Sequence, residues 1–262
     1  MLAIKRLIPN LLTAGNLVGG IMAIIFTLTG KIELAPYCIF ASAIFDFLDG
    51  FVARLLKVQN ELGKQLDSLA DMVTFGVAPG IMVLVMLTSF VAGGDFELPW
   101  GDFGKNITLD DSPIPFYLLA FLIPVFALFR LAKFNLDTRQ TDSFIGLPTP
   151  AMTLYFAVLP LLILSGHNSA LEWQYFSATI IVKPVFLIVS SIVMSILMVS
   201  EIPLFSFKFK HFKFKGNEIR YIFLTICILL LATLFLWAIP LIIILYIILS
   251  LINNAIKPKH EV

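Results

Sequence analysis

Long apolar runs separated by short polar breaks dominate the chain. Runs near residues 9–30, 33–56, 66–92, 113–136, 149–166, 179–200, 219–238 and 240–257 each approach the roughly 20 residues that a helix needs to cross a bilayer core. The pattern predicts an all-α, polytopic membrane helix bundle. The last two runs part only at Ala238-Ile239-Pro240, where proline disfavours helix at the residue before it, so a tight hairpin and one long kinked helix both stay open. Lys5 and Arg6 precede a first run that contains Asn10, Asn16, Gly19 and Gly20 and lacks a small-x-small cleavage site, so it reads as a retained helix.

Composition agrees with a bilayer setting. The 262 residues are 59% hydrophobic and 13% charged with a mean hydropathy of +0.97, against roughly 25% charged in soluble domains. The net charge of +1 comes from basic residues scattered over several short segments, which excludes a contiguous field for nucleic acid. Their placement is asymmetric. With an inner N-terminus, one side collects Lys5, Arg6, Arg54, Lys57, Lys64, Arg130, Lys133, Arg139, Lys208, Lys210, Lys213, Lys215, Arg220, Lys257 and Lys259, which is 15 of the 18 basic residues. Positive loops stay cytoplasmic, so both termini are expected inside, in a multi-pass protein of the cell inner membrane.

The breaks carry little chemistry of their own. The acidic 93–112 connector, with Gly93-Gly94 and Pro99-Trp100-Gly101, reads as a solvated or interfacial loop, and the alternation of aromatic and basic residues over Phe205–Lys215 reads as a headgroup-level segment. Cys38 and Cys227 lie in apolar runs without metal-ligand spacing, and His167, His211 and His260 are far apart, so none is expected at a site.

One stretch resists the apolar pattern. Asp46 and Asp49 share a face near the inner end of the second run, and Asp67 and Asp71 share one at the inner start of the third. A turn of about ten residues makes the two helices antiparallel neighbours, so both pairs arrive at one depth just below the cytoplasmic surface. Ionisable residues at mid-membrane cost roughly 2.5–3.5 kcal/mol each on insertion scales. Arg54 supplies one compensating charge, and the remaining excess suits a hard divalent cation such as Mg²⁺ or Mn²⁺. Gly50, Ala53 and Gly63 keep side chains out of the space above the carboxylates, where a phosphate-bearing ligand can come close to backbone; small residues also serve plain helix packing. Two other readings stand beside this one: a salt-bridged set that only holds helices together, and a cation transporter. The apolar run from Thr74 to Met86 gives an ion path little to follow.

Asp46-x2-Asp49-Gly50-x2-Ala53-Arg54-x8-Gly63-x3-Asp67-x3-Asp71 resembles the signature of the CDP-alcohol phosphatidyltransferase family at all eight defined positions. Pro9-Asn10-x2-Thr13-x2-Asn16 and Phe75-Gly76-Val77-Ala78-Pro79 look like its serine-using branch. The resemblance implies a six-helix core over about residues 1–200, a basic-aromatic loop over 201–218 and a further transmembrane helix pair over 219–262. It implies phosphatidyl transfer from CDP-diacylglycerol to an alcohol with release of CMP, in a homodimer. Asp46, Asp49, Asp67 and Asp71 would hold the metal, with Asp71 also the general base. Gly50, Ala53, Arg54 and Gly63, joined by Asn10 and Thr13, would line the CDP-lipid site.

For the acceptor, Arg130-Leu-Ala-Lys-Phe-Asn135 and Phe144-Ile-Gly-Leu-Pro-Thr-Pro150 look like the serine-using members, although Lys133 stands where that branch has arginine. Arg130 or Lys133 is able to pair with the carboxylate of L-serine, and Asn135 to bond its amine or carboxylate. The same residues also serve as ordinary positive-inside anchors, and Gly146–Pro150 as a rigid turn into the next helix. Glycerol phosphate or an inositol phosphate remains the alternative acceptor.

Overall fold

The computed structural model describes residues 2–91, 118–136, 143–205, 214 and 217–256. The 93–112 connector, Arg139 and most of the basic-aromatic segment lie outside the described residues. The rest is helical apart from one short ribbon. By length and apolarity, five described stretches can cross a membrane: Lys5–Leu28, Glu61–Thr88, Leu118–Leu136, Thr149–His167 and Glu218–Ile256. A bent pair, Glu172–Ile181 with Pro184–Val199, makes a possible sixth. The protein is thus an all-α, multi-pass membrane bundle.

Helix α1 (Leu2–Leu28) runs against α2 (Ala35–Leu55), the second expected run, whose last turns carry Asp46, Asp49 and Arg54. The connection to α3 (Glu61–Asp71) is five residues, tighter than the turn of about ten that the spacing suggested. Backbone chemistry explains the shortening. Lys57 adopts φ 53°, its N–H donates to the Arg54 carbonyl (3.1 Å), and the Val58 N–H donates to the Ala53 carbonyl (3.0 Å), closing the end of α2 in a Schellman turn with Val58 buried beneath it. Asn60 then caps α3, its side-chain oxygen accepting the Gly63 N–H at 3.0 Å. Gly63 therefore sits inside the first turn of the helix.

After Asp71 the same helix passes through a π-helical segment, Met72–Val77, before α4 (Ala78–Val91). Such segments leave carbonyls displaced from the helical ladder. Thr153 donates to the Phe75 carbonyl (2.8 Å), and Thr74 donates to the carbonyl of Asn16 on α1 (3.0 Å), which also accepts from Ser42 of α2 (3.1 Å). Gly20 lets α1 come this close: a Cβ there would lie 2.8 Å from the Thr74 Cα and closer still to its hydroxyl.

Helix α5 (Leu122–Leu136) runs back toward the level of α3, where Asn135 bonds Ser68, and α6 (Thr149–His167) runs away from it through the middle of the bundle, buried on nearly every face from Thr149 to Ile163. The run expected over 179–200 is broken near its start, between α7 (Glu172–Ile181), which begins before it in the expected connection, and α8 (Pro184–Val199), the two bent by 73°. Pro184 at the start of α8 forces Lys183 into an extended conformation, φ −65° and ψ 129°, which breaks the helix there. A two-stranded antiparallel ribbon, β1 (Ser143–Ile145) with β2 (Pro203–Phe205), leads into α6. Phe205, expected at the headgroups, is buried against Phe223 and Tyr246.

The final stretch folds back as a hairpin of α9 (Glu218–Leu234) and α10 (Ala238–Ile256). Phe223 and Tyr246 have ring centroids 5.8 Å apart, where a continuous helix would separate them by about 35 Å. The reversal occurs at Phe235, φ 51°. Tyr246 donates to the Phe205 carbonyl (2.8 Å) and Asn254 to the Pro203 carbonyl (2.6 Å), so the hairpin clamps β2.

Because the Gly20 contact meets backbone, Gly20→Ala is expected to push α1 from the π segment and cost roughly 1–3 kcal/mol, read as a lowered unfolding temperature in detergent. Unchanged stability would show that α1 tolerates the shift.

Candidate active site

The short Schellman turn leads α2 into α3 so that both pack on α1 with their carboxylates facing. One oxygen each from Asp46, Asp49 and Asp67 lies within 4.8 Å of the others. Asp46 is also within electrostatic reach of Asp67 and Asp71. Helix α1 supports the cluster from outside: the Thr13 hydroxyl donates to Asp49 Oδ2 at 2.5 Å, and Asn16 Nδ2 donates to Asp71 Oδ1 at 3.1 Å. Asp71 stands apart from the converging three, held by Asn16.

The donor set fits a hard cation. Three carboxylates converge, Asp49 is only 5% exposed, and the buried Oδ1 of Asp67 has no hydrogen-bond partner among the described residues. Arg54, expected as the compensating charge, is exposed, and the ion pair found among the described residues is elsewhere, at Lys133–Glu201. Oxygen ligands of this kind are what Mg²⁺ and Mn²⁺ take. The cluster is therefore able to bind a metal ion.

Beside it opens a cavity of about 360 Å³. Asn10, Thr13, Gly50, Ala53 and Gly63 all line it, together with Asp49 and Asp67; Arg54 does not. A Cβ at Gly50 would meet nothing within 4 Å, and one at Gly63 would stay 3.7 Å or more from Asn60 and Asn10. The absent side chains leave room for a ligand at Gly50 instead of serving helix contact. Arg6, Asn60 and Lys64 also line the cavity. Reasoning from sequence treated Arg6 and Lys64 as topology charges, because only the return of α3 beside α1 brings them to one place.

On the far side, Arg130 of α5 is buried, 7% exposed, with its guanidinium 4.9 Å from the Phe134 ring centroid and within electrostatic reach of Asp71. The other two acceptor candidates are engaged elsewhere. Lys133 Nζ pairs with Glu201 at 3.1 Å, and Asn135 Nδ2 donates to Ser68 Oγ at 2.7 Å while its carbonyl accepts from Lys64 at 2.9 Å. Asn16 was visible in the sequence as part of the opening motif, yet its contact with Asp71 was not, since 55 residues separate them.

Comparison with known proteins gives one family and several relatives. The CDP-alcohol phosphatidyltransferase profile matches residues 6–194. A CDP-diacylglycerol–serine O-phosphatidyltransferase of Bacillus subtilis is 32% identical over 211 residues, covering 80% of this chain and 94% of its own. Relatives of the same name match from Helicobacter pylori strain J99, 36% identical over 60% of this chain and 58% of theirs, and from Saccharomyces cerevisiae, 35% identical over 48% and 41%.

If the three carboxylates hold a cation, Mn²⁺ at about 100 times its dissociation constant raises stability by roughly 2.7 kcal/mol. Asp67→Asn is expected to abolish that metal-dependent rise in unfolding temperature. A rise of equal size in the variant would remove Asp67 from the ligand set.

Proposed function

The chain belongs to the CDP-alcohol phosphatidyltransferase family, and on that footing we propose that it transfers the phosphatidyl group of CDP-diacylglycerol to the hydroxyl of L-serine, releasing CMP. The observation that carries the reading is the convergence of Asp46, Asp49 and Asp67 beside a cavity left open at Gly50. The names of the relatives support serine as the acceptor.

In this reading the cytidine and diphosphate occupy the cavity among Asn10, Thr13, Gly50, Ala53 and Gly63. The start of α3, Arg6 and Lys64 offer N–H groups and positive charge to phosphate. Arg54 stands one turn beyond Gly50 on the same face and adds a bidentate contact at the rim. Asp46, Asp49 and Asp67, bordered by Asp71, hold Mg²⁺ or Mn²⁺. When bound, such an ion supplies Lewis-acid stabilisation of charge on the diphosphate oxygens and on departing CMP. An alcohol is a poor nucleophile at neutral pH, so Asp71 takes the serine hydroxyl proton as the oxygen bonds to the lipid-side phosphorus and the bond from that phosphorus to the CMP oxygen breaks. Asn16 fixes the orientation of Asp71. Arg130 pairs with the serine carboxylate, with Lys133 and Asn135 supporting the acceptor side of α5. The lipid tails enter laterally from the bilayer, and the site faces the cytoplasm at the inner membrane, as the basic residues around it suggest. Residues 219–262 extend the family core, and a homodimer belongs to the same reading.

Purified protein given CDP-diacylglycerol, Mg²⁺ or Mn²⁺ and a panel of alcohols is expected to release CMP with L-serine. No serine-dependent CMP under either metal, or preference for glycerol phosphate or an inositol phosphate, rejects the acceptor assignment. Asp71→Asn should slow turnover by roughly 10²–10⁴-fold while CDP-lipid binding persists; near-normal turnover would sink the base assignment.

A further inference from the structure

The ten-residue helix α7 turns large apolar side chains away from the bundle. On it and just before it, Leu171, Trp173, Tyr175, Phe176 and Ile180 are exposed among the described residues, Phe176 by 65%. Water is a poor setting for so much apolar surface on one short segment. The small polar groups there are turned back to the local backbone. Ser177 donates to the Trp173 carbonyl and Thr179 to the Phe176 carbonyl, both at 2.7 Å, and Ser169 accepts the Leu171 N–H at 3.0 Å.

The opposite face of α7 is held firmly by packing. Ala178 and Ile181 are buried. Helix α7 crosses the end of α6 at Gly166, where a Cβ would lie 2.5 Å from the Ala178 Cβ and 2.7 Å from the Gln174 carbonyl oxygen. The Trp173 ring meets Trp237 edge to face at 5.4 Å, and Tyr175 meets His167 at 5.6 Å. These contacts join α7 to the end of α6 and to the reversal of the C-terminal hairpin.

Span lengths locate this layer. Helix α6 begins one turn before Thr153, which bonds the Phe75 carbonyl just past Asp71, and its 19 residues rise about 28 Å, close to the roughly 30 Å of a hydrocarbon core. Helix α8 is apolar between two charges, exposed Lys183 just before it and Glu201 just past its end, and its 16 residues rise about 24 Å. With a bend of 73°, the ten residues of α7 add only about 4 Å along the α8 axis. For an α8 that follows the bilayer normal, α7 neither continues the span nor dips back into it. It lies across the normal, at the boundary away from the carboxylate cluster.

We infer that α7 is an interfacial helix whose exposed aromatic face binds the boundary between headgroups and acyl chains in the phospholipid leaflet opposite the carboxylate cluster. Trp173 and Tyr175 suit that depth because each joins an apolar ring to a polar tip. Glu172 and Lys183, exposed at the two ends of α7, keep their charges among the headgroups. The contact between Trp173 and Trp237 brings the hairpin reversal to the same layer, so one aromatic belt sets the depth of α6 and of the hairpin together. The inference stands apart from the transferase reading and needs no substrate.

The test uses the full chain in vesicles of phosphatidylcholine and phosphatidylglycerol. The chain has three tryptophans, so Trp100→Phe with Trp237→Phe leaves Trp173 as the reporter. Bromines carried near the ester end of the acyl chains are expected to quench its emission more strongly than bromines near the chain ends, and aqueous iodide only weakly. Because Trp237→Phe removes a packing partner, a nitroxide at Phe176→Cys, with Cys38→Ser and Cys227→Ala, supplies a second reading. Relaxation by oxygen and by a nickel chelate should place that nitroxide roughly 5–10 Å inside the headgroup boundary. Strongest quenching from chain-end bromines, or a nitroxide near the bilayer centre, overturns the inference in favour of a segment inside the hydrocarbon. Strong iodide quenching without lipid quenching overturns it in favour of a water-exposed helix. Shielding from both quenchers overturns it by showing that protein, from this chain or a second copy, covers the face.

Discussion

Asp46, Asp49 and Asp67 bring negative oxygens within 4.8 Å of one another in a bundle that has few other charges. At an effective dielectric of about 20, two unit charges at that separation repel by roughly 3 kcal/mol. The fold bears this repulsion through covalent and packing constraints. The Schellman turn at Lys57 and the cap at Asn60 fix how α2 meets α3, and the Thr13 and Asn16 bonds from α1 hold two of the four carboxylates by their oxygens. Energy stored in this way becomes affinity for a cation, because the same oxygens that repel one another attract a shared positive charge.

The helices around the cluster divide its two sides. Toward α1 and the start of α3, small residues leave an open cavity with positive and N–H-bearing groups. Toward α5 and α6 the packing is dense: Arg130 is buried against the Phe134 ring, and the buried Thr149 hydroxyl has no hydrogen-bond partner among the described residues. The π segment after Asp71 lies at the boundary, and its displaced Phe75 carbonyl is the point at which α6 attaches.

The C-terminal hairpin lies beyond the residues matched by the family profile, yet it is integrated with the rest. Through Tyr246 and Asn254 it grips β2, which pairs with β1, and β1 leads through Gly146 into the start of α6. It is thus tied to the start of α6 through the backbone of the ribbon.

Much of this was legible in the chain because it is local. Apolar run length announced membrane helices, three- and four-residue spacings put aspartates on shared faces, and the bareness of Gly50 followed from its type alone. What was misread depended on backbone detail or distant partners. Pro184 split an expected single helix because the residue before a proline turns extended; Lys57 shortened a turn by entering a conformation that glycine usually takes; and Phe205 was buried by rings from α9 and α10. Arg54 appeared central from its neighbours in sequence, while Arg6 and Lys64 reached the cavity from helices that only the tertiary fold unites. Sequence by itself determined which groups are present and which faces they share, since near neighbours set helix periodicity. Tertiary structure decided which of those groups are left without partners, since hydrogen bonding in a buried layer depends on helices tens of residues apart.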